Sequence, residues 1–278
     1  MPELPEVERG RRLAASVAEG RSIVRAAVAK DEIVIDGVAP RAMKRTLEGR
    51  TVAAVRRWGK QIFFELDERP WPLFHFGMTG AFRTPNERPI QLESSPREEP
   101  ASWPPRFTKI HLWFDDGGEL VMTNARRLGR IRLRHDPMNE PPIRDLGFDP
   151  LHEIPTAREL AERLAKRKTP IKAVLLDQSF AAGVGNWIAD EVLYQAGIDP
   201  RRHAASLGGD EIKRLRTKLG SVVRKAVEVN AEKARFPRSW LFHHRWGKNR
   251  EALTSRGERI EHLVVGGRTT AWAPSRQK

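Results

Sequence analysis

The chain opens with a proline and two carboxylates in a pattern suited to covalent chemistry: Met1-Pro2-Glu3-Leu4-Pro5-Glu6-Val7-Glu8. A small residue at position 2 normally permits removal of the initiator methionine, which would leave Pro2 as a secondary amine. An α-amino group titrates near ~7.7–8, so a neutral, nucleophilic fraction exists at physiological pH. Such an amine attacks an aldehyde-like carbon to form a Schiff base. From a secondary amine the product is an iminium, cationic without a proton, which acidifies the adjacent C–H and promotes β-elimination. Glu3 sits beside the nucleophile as a candidate acid, and Glu6 lies about one helical turn further on. Read alone, Pro-Glu is also an ordinary helix start. The longer string from Pro2 to Glu8 is more specific.

Other strings suit binding. Gly183-Val184-Gly185-Asn186 is a glycine turn leading into Trp187-Ile188-Ala189-Asp190-Glu191. Free N–H groups at a helix start attract a phosphate, and Asn186 can add a donor. Lys172 lies on a short helix upstream. Val264-Val265-Gly266-Gly267-Arg268-Thr269-Thr270 reads as a hairpin tip able to grip phosphates through Arg268. Arg56-Arg57-Trp58-Gly59-Lys60 places Lys60 at a basic strand end. Phe74-His75-Phe76-Gly77-Met78-Thr79-Gly80 presents Met78 as a wedge on a glycine-flanked turn. Asn124-Ala125-Arg126-Arg127-Leu128-Gly129 offers a cation and an apolar side chain two residues apart. Each has a plainer reading: a tight loop, a solvated turn, or, for Met78 and Leu128, a place in the core.

These strings need elements to hold them. Periodicity predicts a helix over 6–19, then short strands at 23–29, 33–36, 51–58, 61–66, 73–78, 107–114, 119–123 and 130–134. Asp115-Asp116-Gly117-Gly118 is a hairpin turn. Prolines make 84–105 an irregular excursion. Residues 136–150 read as a linker, and helices follow at 156–168, 170–176, 187–196 and 210–229. Thr156 and Glu159 fit a capping box, and Gly197 fits a helix C-terminus. The class is α+β: an N-terminal β-sandwich with a leading helix (1–135), the linker, a helical domain (151–235) and a basic β-hairpin (236–278).

Lys+Arg 50 against Asp+Glu 36 gives a net charge of +14. Residues 201–278 hold 19 Lys/Arg and 7 Asp/Glu, a net of +12, so the C-terminal quarter supplies most of the field. A polyanionic partner is the leading reading, beside that of a merely solvated surface. With Cys 0, disulfides, thiolate metal sites and a cysteine nucleophile are excluded. No apolar run reaches the ~18 residues of a membrane span, and the acidic, proline-punctuated start is unlike a signal peptide. An intracellular protein is expected: cytoplasm and nucleoid in a bacterium, the nucleus in a eukaryote.

In this order the strings resemble the formamidopyrimidine-DNA glycosylase/endonuclease VIII family over nearly the whole chain. The resemblance implies a β-sandwich, a helix–two-turn–helix (H2TH) domain and a C-terminal finger. It implies a monomeric base-excision-repair enzyme acting on damaged double-stranded DNA: a glycosylase that flips out and removes oxidised bases, then nicks the strand as an AP lyase. By position, Pro2 resembles the Schiff-base nucleophile, Glu3 the acid/base for ring opening and elimination, and Glu6 the second carboxylate. Lys60, Asn186 and Arg268 resemble phosphate clamps, with Lys60 also counted among the catalytic set. His75 and Lys172 join the DNA-binding set. Met78, Arg126 and Leu128 stand where the family fills the vacated stack.

Four cysteines usually bind zinc in the finger. Aligned on Gly266-Gly267-Arg268, those positions hold Leu253, Arg256, Ala273 and Arg276. The hairpin therefore resembles the zincless finger of some members, plant enzymes included, and no cofactor is expected. Trp240-Leu241-Phe242-His243-His244-Arg245-Trp246 is similar to the plant type, and its packing is expected to stand in for the metal. Many relatives carry Phe where this chain has Leu128. The segment 230–240 lacks the longer loop with which bacterial-type relatives cover an oxidised purine. This implies activity on formamidopyrimidines and abasic sites above 8-oxoguanine. Three alternatives stay open: an endonuclease VIII-like preference for oxidised pyrimidines, a non-catalytic lesion-binding protein, and a general H2TH nucleic-acid binder.

Overall fold

The structure is a computed structural model that describes residues 1–85, 102–247 and 251–278. Most of the excursion expected over 84–105 lies outside the described residues. The chain divides into two compact units, Met1–Asp145 and Leu146–Lys278.

In the first unit α1 (Leu4–Ala18) starts two residues earlier than its apolar period suggests. Its first turn is closed chemically: the Glu6 carboxylate accepts the Glu3 backbone N–H at 3.0 Å. Leu4, Val7, Ala14 and Ala18 face inward. Two four-stranded antiparallel sheets follow. One runs β1 (Ile23–Val28), β6 (Thr108–Phe114), β7 (Glu119–Thr123), β5 (Ala81–Arg83). The other runs β2 (Val52–Trp58), β3 (Gln61–Leu66), β4 (Trp71–His75), β8 (Arg130–Arg134). Inward side chains of both sheets, among them Ile23, Leu112, Met122, Val55, Phe64 and Phe74, form one buried cluster with Val7 and Ala14 of α1. Burying these faces together is the main stabilising term of the sandwich. The β6–β7 turn is the expected Asp-Asp-Gly-Gly hairpin, with Gly117 at φ +85.

Two local readings change. Residues 33–36, expected as a strand, form a turn with one bridge, Ile35 to Ile131. The Asp31 carboxylate accepts the N–H groups of Ile33 and Val34, each at 3.3 Å, and this competes with strand pairing. A helix unforeseen from sequence, α2 (Pro40–Leu47), buries only Met43 and Leu47, too few positions to show a period.

In the second unit α3 (Ala157–Ala165) carries the expected Thr156/Glu159 capping box. Next come α4 (Ile171–Leu176), α5 (Asn186–Ala196) and α6 (Gly209–Glu228). Gly197 ends α5 at φ +70, a left-handed cap. The hairpin of β9 (Glu261–Val265) and β10 (Arg268–Trp272) does not stand apart as its own core. Ile260, Ala271 and Ala273 pack with Tyr194 of α5 and Leu241. Among the described residues, no helix is long and apolar enough to cross a membrane.

Candidate active site and nucleic-acid interface

Three expected catalytic groups share one short stretch. Pro2 is buried, Glu3 is 3% exposed and Glu6 5% exposed. Burial pushes the Glu6 carboxyl up to about 7, and the neighbouring Glu3 carboxylate adds to the rise. Two carboxylates held this close cannot both ionise freely, so near neutral pH Glu6 can store and return a proton. The helix beneath them cannot drift. Gly10 passes so close to Phe76 that a Cβ would lie 2.8 Å from its ring, tying α1 to the end of β4.

A second, unforeseen tie joins α1 to the Lys60 turn. Arg57, whose side chain is fully buried, donates to Glu8 at 2.9 Å and to the Gly59 carbonyl at 2.8 Å. Lys60 is the second residue of the β2–β3 turn. His75 ends β4. Burial first, then the charges of Lys60, Arg132 and Arg130, lower its pKa to about 4. It is a neutral imidazole at physiological pH, able to donate one hydrogen bond in a cationic setting.

The two expected wedge turns are locked together. Asn124, 1% exposed, donates from Nδ2 to the Phe76 carbonyl (2.8 Å) and accepts the Gly129 N–H (3.1 Å). At Gly77, φ +62, a Cβ would sit 2.4 Å from the Leu128 carbonyl carbon, so only glycine allows this approach. Met78 is half-buried, Arg126 exposed and Leu128 44% exposed. The plainer reading of Leu128 as a core residue fails. The sequence carries no signal for this role of Asn124, because the carbonyl it reaches, that of Phe76, lies on another loop.

In the second unit Asn186 is the first residue of α5, as the glycine turn suggested, and its Nδ2 donates to the Thr269 carbonyl at 2.9 Å. Gln178 staples that turn through the Gly183 N–H and the Val184 carbonyl. Arg268 is exposed at the hairpin tip. Gly266, φ +58, leaves just enough room for Ala173 of α4, 3.0 Å from where a Cβ would stand.

Lys172 requires a correction. It was expected to reach DNA, but its side chain is 0% exposed. Its ammonium lies 2.6 Å from Asp190 and donates to Thr270 Oγ1 at 2.7 Å. Arg245 reaches the other Asp190 oxygen at 2.5 Å. Lys172 therefore ties α4, α5 and β10 together beneath Asn186 and Arg268. Glu191 is fully buried and accepts the Phe242 N–H at 2.8 Å and Gln195 Nε2 at 2.7 Å. Burial raises its carboxyl to about 7 against those hydrogen bonds.

The four finger positions do not fit a zinc ion. Leu253 and Ala273 offer no donor, and Arg256 and Arg276 are cations. Arg276 instead lies over the Tyr194 ring at 5.0 Å and approaches Glu258 at 3.5 Å. Glu258 also accepts from Tyr194 Oη (2.7 Å) and Thr254 Oγ1 (2.9 Å). From the aromatic run Phe242 packs 5.2 Å from Trp187 of α5, which also lies 5.5 Å from Phe236.

Comparison with known proteins finds relatives over the whole length of the chain. A family model described as the formamidopyrimidine-DNA glycosylase N-terminal domain matches residues 1–131, and one described as its H2TH domain matches 146–238. A formamidopyrimidine-DNA glycosylase of Arabidopsis thaliana is 42% identical over 278 residues, covering 100% of this chain and 71% of that protein. One from Geobacillus kaustophilus is 34% identical over 291 residues, with 100% of both covered. The crystal structure of the Lactococcus lactis enzyme bound non-covalently to DNA containing an AP site is similar at TM-score 0.81 and 26% identity, covering 99% of each chain. The same enzyme with FAPY-dG-containing DNA gives TM-score 0.80 at 26% identity, covering 99% of this chain and 100% of that one.

Proposed function

The chain belongs to the formamidopyrimidine-DNA glycosylase family, and from that premise we propose that it excises formamidopyrimidines from duplex DNA and cleaves the abasic strand through a Schiff base on Pro2. The observation that carries the reading is the buried trio Pro2, Glu3 and Glu6, with Glu6 near neutrality. Removal of Met1 frees the Pro2 nitrogen. Its lone pair attacks C1′ of the damaged nucleotide, and the glycosidic bond breaks with its electron pair leaving on the base, which takes up the proton that the Pro2 nitrogen releases. Glu3 delivers a proton to the ring oxygen as the sugar opens, which leaves an iminium between Pro2 and C1′. The iminium draws electrons from C2′. The Glu3 carboxylate takes a C2′ proton, the C–H electron pair forms the C2′–C3′ double bond, and the 3′ phosphate departs with the C3′–O pair, which cuts the strand.

Lys60, His75, Asn186 and Arg268 bind the phosphates around the extruded nucleotide. Met78, Arg126 and Leu128 fill the gap, offsetting an unstacking cost of a few kcal/mol. The protein works without zinc. Abasic sites and formamidopyrimidines rank above 8-oxoguanine. Borohydride trapping tests the reading on duplexes bearing an abasic site, formamidopyrimidine, 8-oxoguanine or an oxidised pyrimidine, beside Pro2→Gly. An adduct mapping to Pro2 in protein lacking Met1 supports it, and the lesion dependence ranks the substrates. No adduct on any lesion, with Met1 gone and DNA bound, leaves a lesion-binding protein.

A further inference from the structure

The Asn124-to-Gly129 turn joins β7 to β8, and Arg127 at its centre has φ +55. A non-glycine residue rarely adopts this left-handed conformation, and it persists where the surroundings over-determine it. Here they do. Asp31 accepts from Arg127 Nε at 3.0 and 3.2 Å and from Nη2 at 3.0 Å. The same carboxylate receives Lys109 Nζ at 2.7 Å. Its side chain is 7% exposed, so the fork closes on a nearly desolvated acceptor. Burial alone would raise the Asp31 carboxyl. The Arg127 and Lys109 hydrogen bonds outweigh that and hold it far below the usual carboxylate range.

The consequence lies on either side. With Arg127 turned onto Asp31, Arg126 and Leu128 both point to solvent. An apolar side chain left 44% exposed gains by collapsing onto the surface unless its backbone is held. Asn124 and Gly77 hold one flank of the turn, and Asp31 holds its apex.

We propose that Asp31 and Arg127 form a positioning pair that keeps Arg126 and Leu128 set for entry into duplex DNA before the DNA arrives. Arg127 then acts through its neighbours: Asp31 holds its Nε and Nη2, while half of its side chain stays exposed. The proposal rests on the reading of Arg126 and Leu128 given above. It makes a distinction that reading does not. Losing the pair harms reactions that need the stack filled and spares those that do not.

Two measurements test it, one with chemistry and one without. In the first, adduct trapping rates under single turnover are compared for an abasic site in duplex and in single-stranded DNA. Arg127→Ala and Asp31→Asn should slow the duplex reaction on the order of tenfold, the size of one charge-assisted hydrogen bond, and leave the single-stranded rate unchanged. Arg127→Lys keeps a charge on Asp31 but loses the fork, so it should fall between, and it carries the test if the alanine variant does not fold. In the second, 2-aminopurine is placed opposite a non-cleavable tetrahydrofuran abasic analogue. Wild-type protein should raise its fluorescence by displacing it from the stack, and Arg127→Ala should not. Equal loss on both DNA forms, or no loss on either with normal fluorescence, would overturn the proposal. If wild-type protein traps no adduct anywhere yet still displaces 2-aminopurine, the Schiff-base reading fails and the positioning pair stands.

Discussion

Each unit of this protein buries a charge cluster, and the two are built on opposite logic. At the start of α1, Glu3 and Glu6 are like charges out of water, and Glu6 is driven to about 7. Beneath the hairpin, Asp190 lies between Lys172 and Arg245 at 2.6 and 2.5 Å. The first arrangement costs stability and keeps a proton mobile. The second satisfies its charges and fixes three elements. Burial by itself thus says little about role; the sign of the neighbour decides whether a buried ion reacts or braces.

The contrast breaks most visibly at Glu3. Glu3→Gln should reduce the single-turnover cleavage rate by about 10²–10⁴, the usual worth of a positioned acid/base, while melting stays level or rises because a like-charge pair is gone. A melting temperature that falls with activity would make Glu3 a brace instead. At the other cluster the outcome should reverse. Asp190→Ala strands two cations and should cost about 3–5 kcal/mol in urea unfolding. A loss below about 1 kcal/mol, the scale of a single exposed pair, would mean that the apolar contacts already hold α5 to the hairpin.

Glu6 sharpens the comparison through pH. Its folded pKa, about 7, lies above the unfolded value of 4.5. Its contribution is therefore fully present below pH ~4.5 and is lost as pH rises through 7. Glu6→Gln should match the wild type at pH 4.5 and gain on it steadily to pH 8, by about 3 kcal/mol at most. Denaturant midpoints across that range measure the gap. A constant gap would show that Glu6 titrates normally.

The two clusters were not equally legible. Pro2, Glu3 and Glu6 could be singled out as one cluster because they lie within a single short run of chain, and Gly183 to Asn186 for the same reason. Both signals are local, as are the hairpin turn at Gly117 and the cap at Gly197. What stayed hidden is non-local. Arg57 meets Glu8 from β2, Arg127 meets Asp31 across the first unit, and no spacing rule connects either pair. Lys172 was misread for a different reason. Lysine is almost never fully buried unless paired, and its partner Asp190 sits on the next helix, inside a string that otherwise reads as a phosphate turn. The turn at 33–36 was misread because β-branched residues suggested a strand while Asp31, outside that window, had already claimed its N–H groups.

The smallest expected effect lies in the finger. A zinc site concentrates its stabilisation in one ion, so removing that ion unfolds the element at once. Here, beside the Asp190 cluster under β10, the same span rests on several modest contacts. Arg276 stacks over Tyr194 and donates from Nε to the Tyr194 carbonyl at 3.0 Å. Tyr194 and Thr254 converge on Glu258. Trp272 lies under Arg201 at 4.4 Å. A cation–π contact at a partly exposed site is worth about 0.5–1 kcal/mol, so Arg276→Ala should cost only about 1–2 kcal/mol once its hydrogen bonds are included. The loss should be local, appearing as faster amide exchange in 251–278 while α1 and the sandwich keep their protection. A chelator should change neither the melting temperature nor those exchange rates. A chelator-induced collapse of 251–278 would mean that a metal holds the hairpin after all, through donors other than the four aligned positions. Cooperative loss of the whole second unit in Arg276→Ala would mean instead that Arg276 alone had taken over the ion's job.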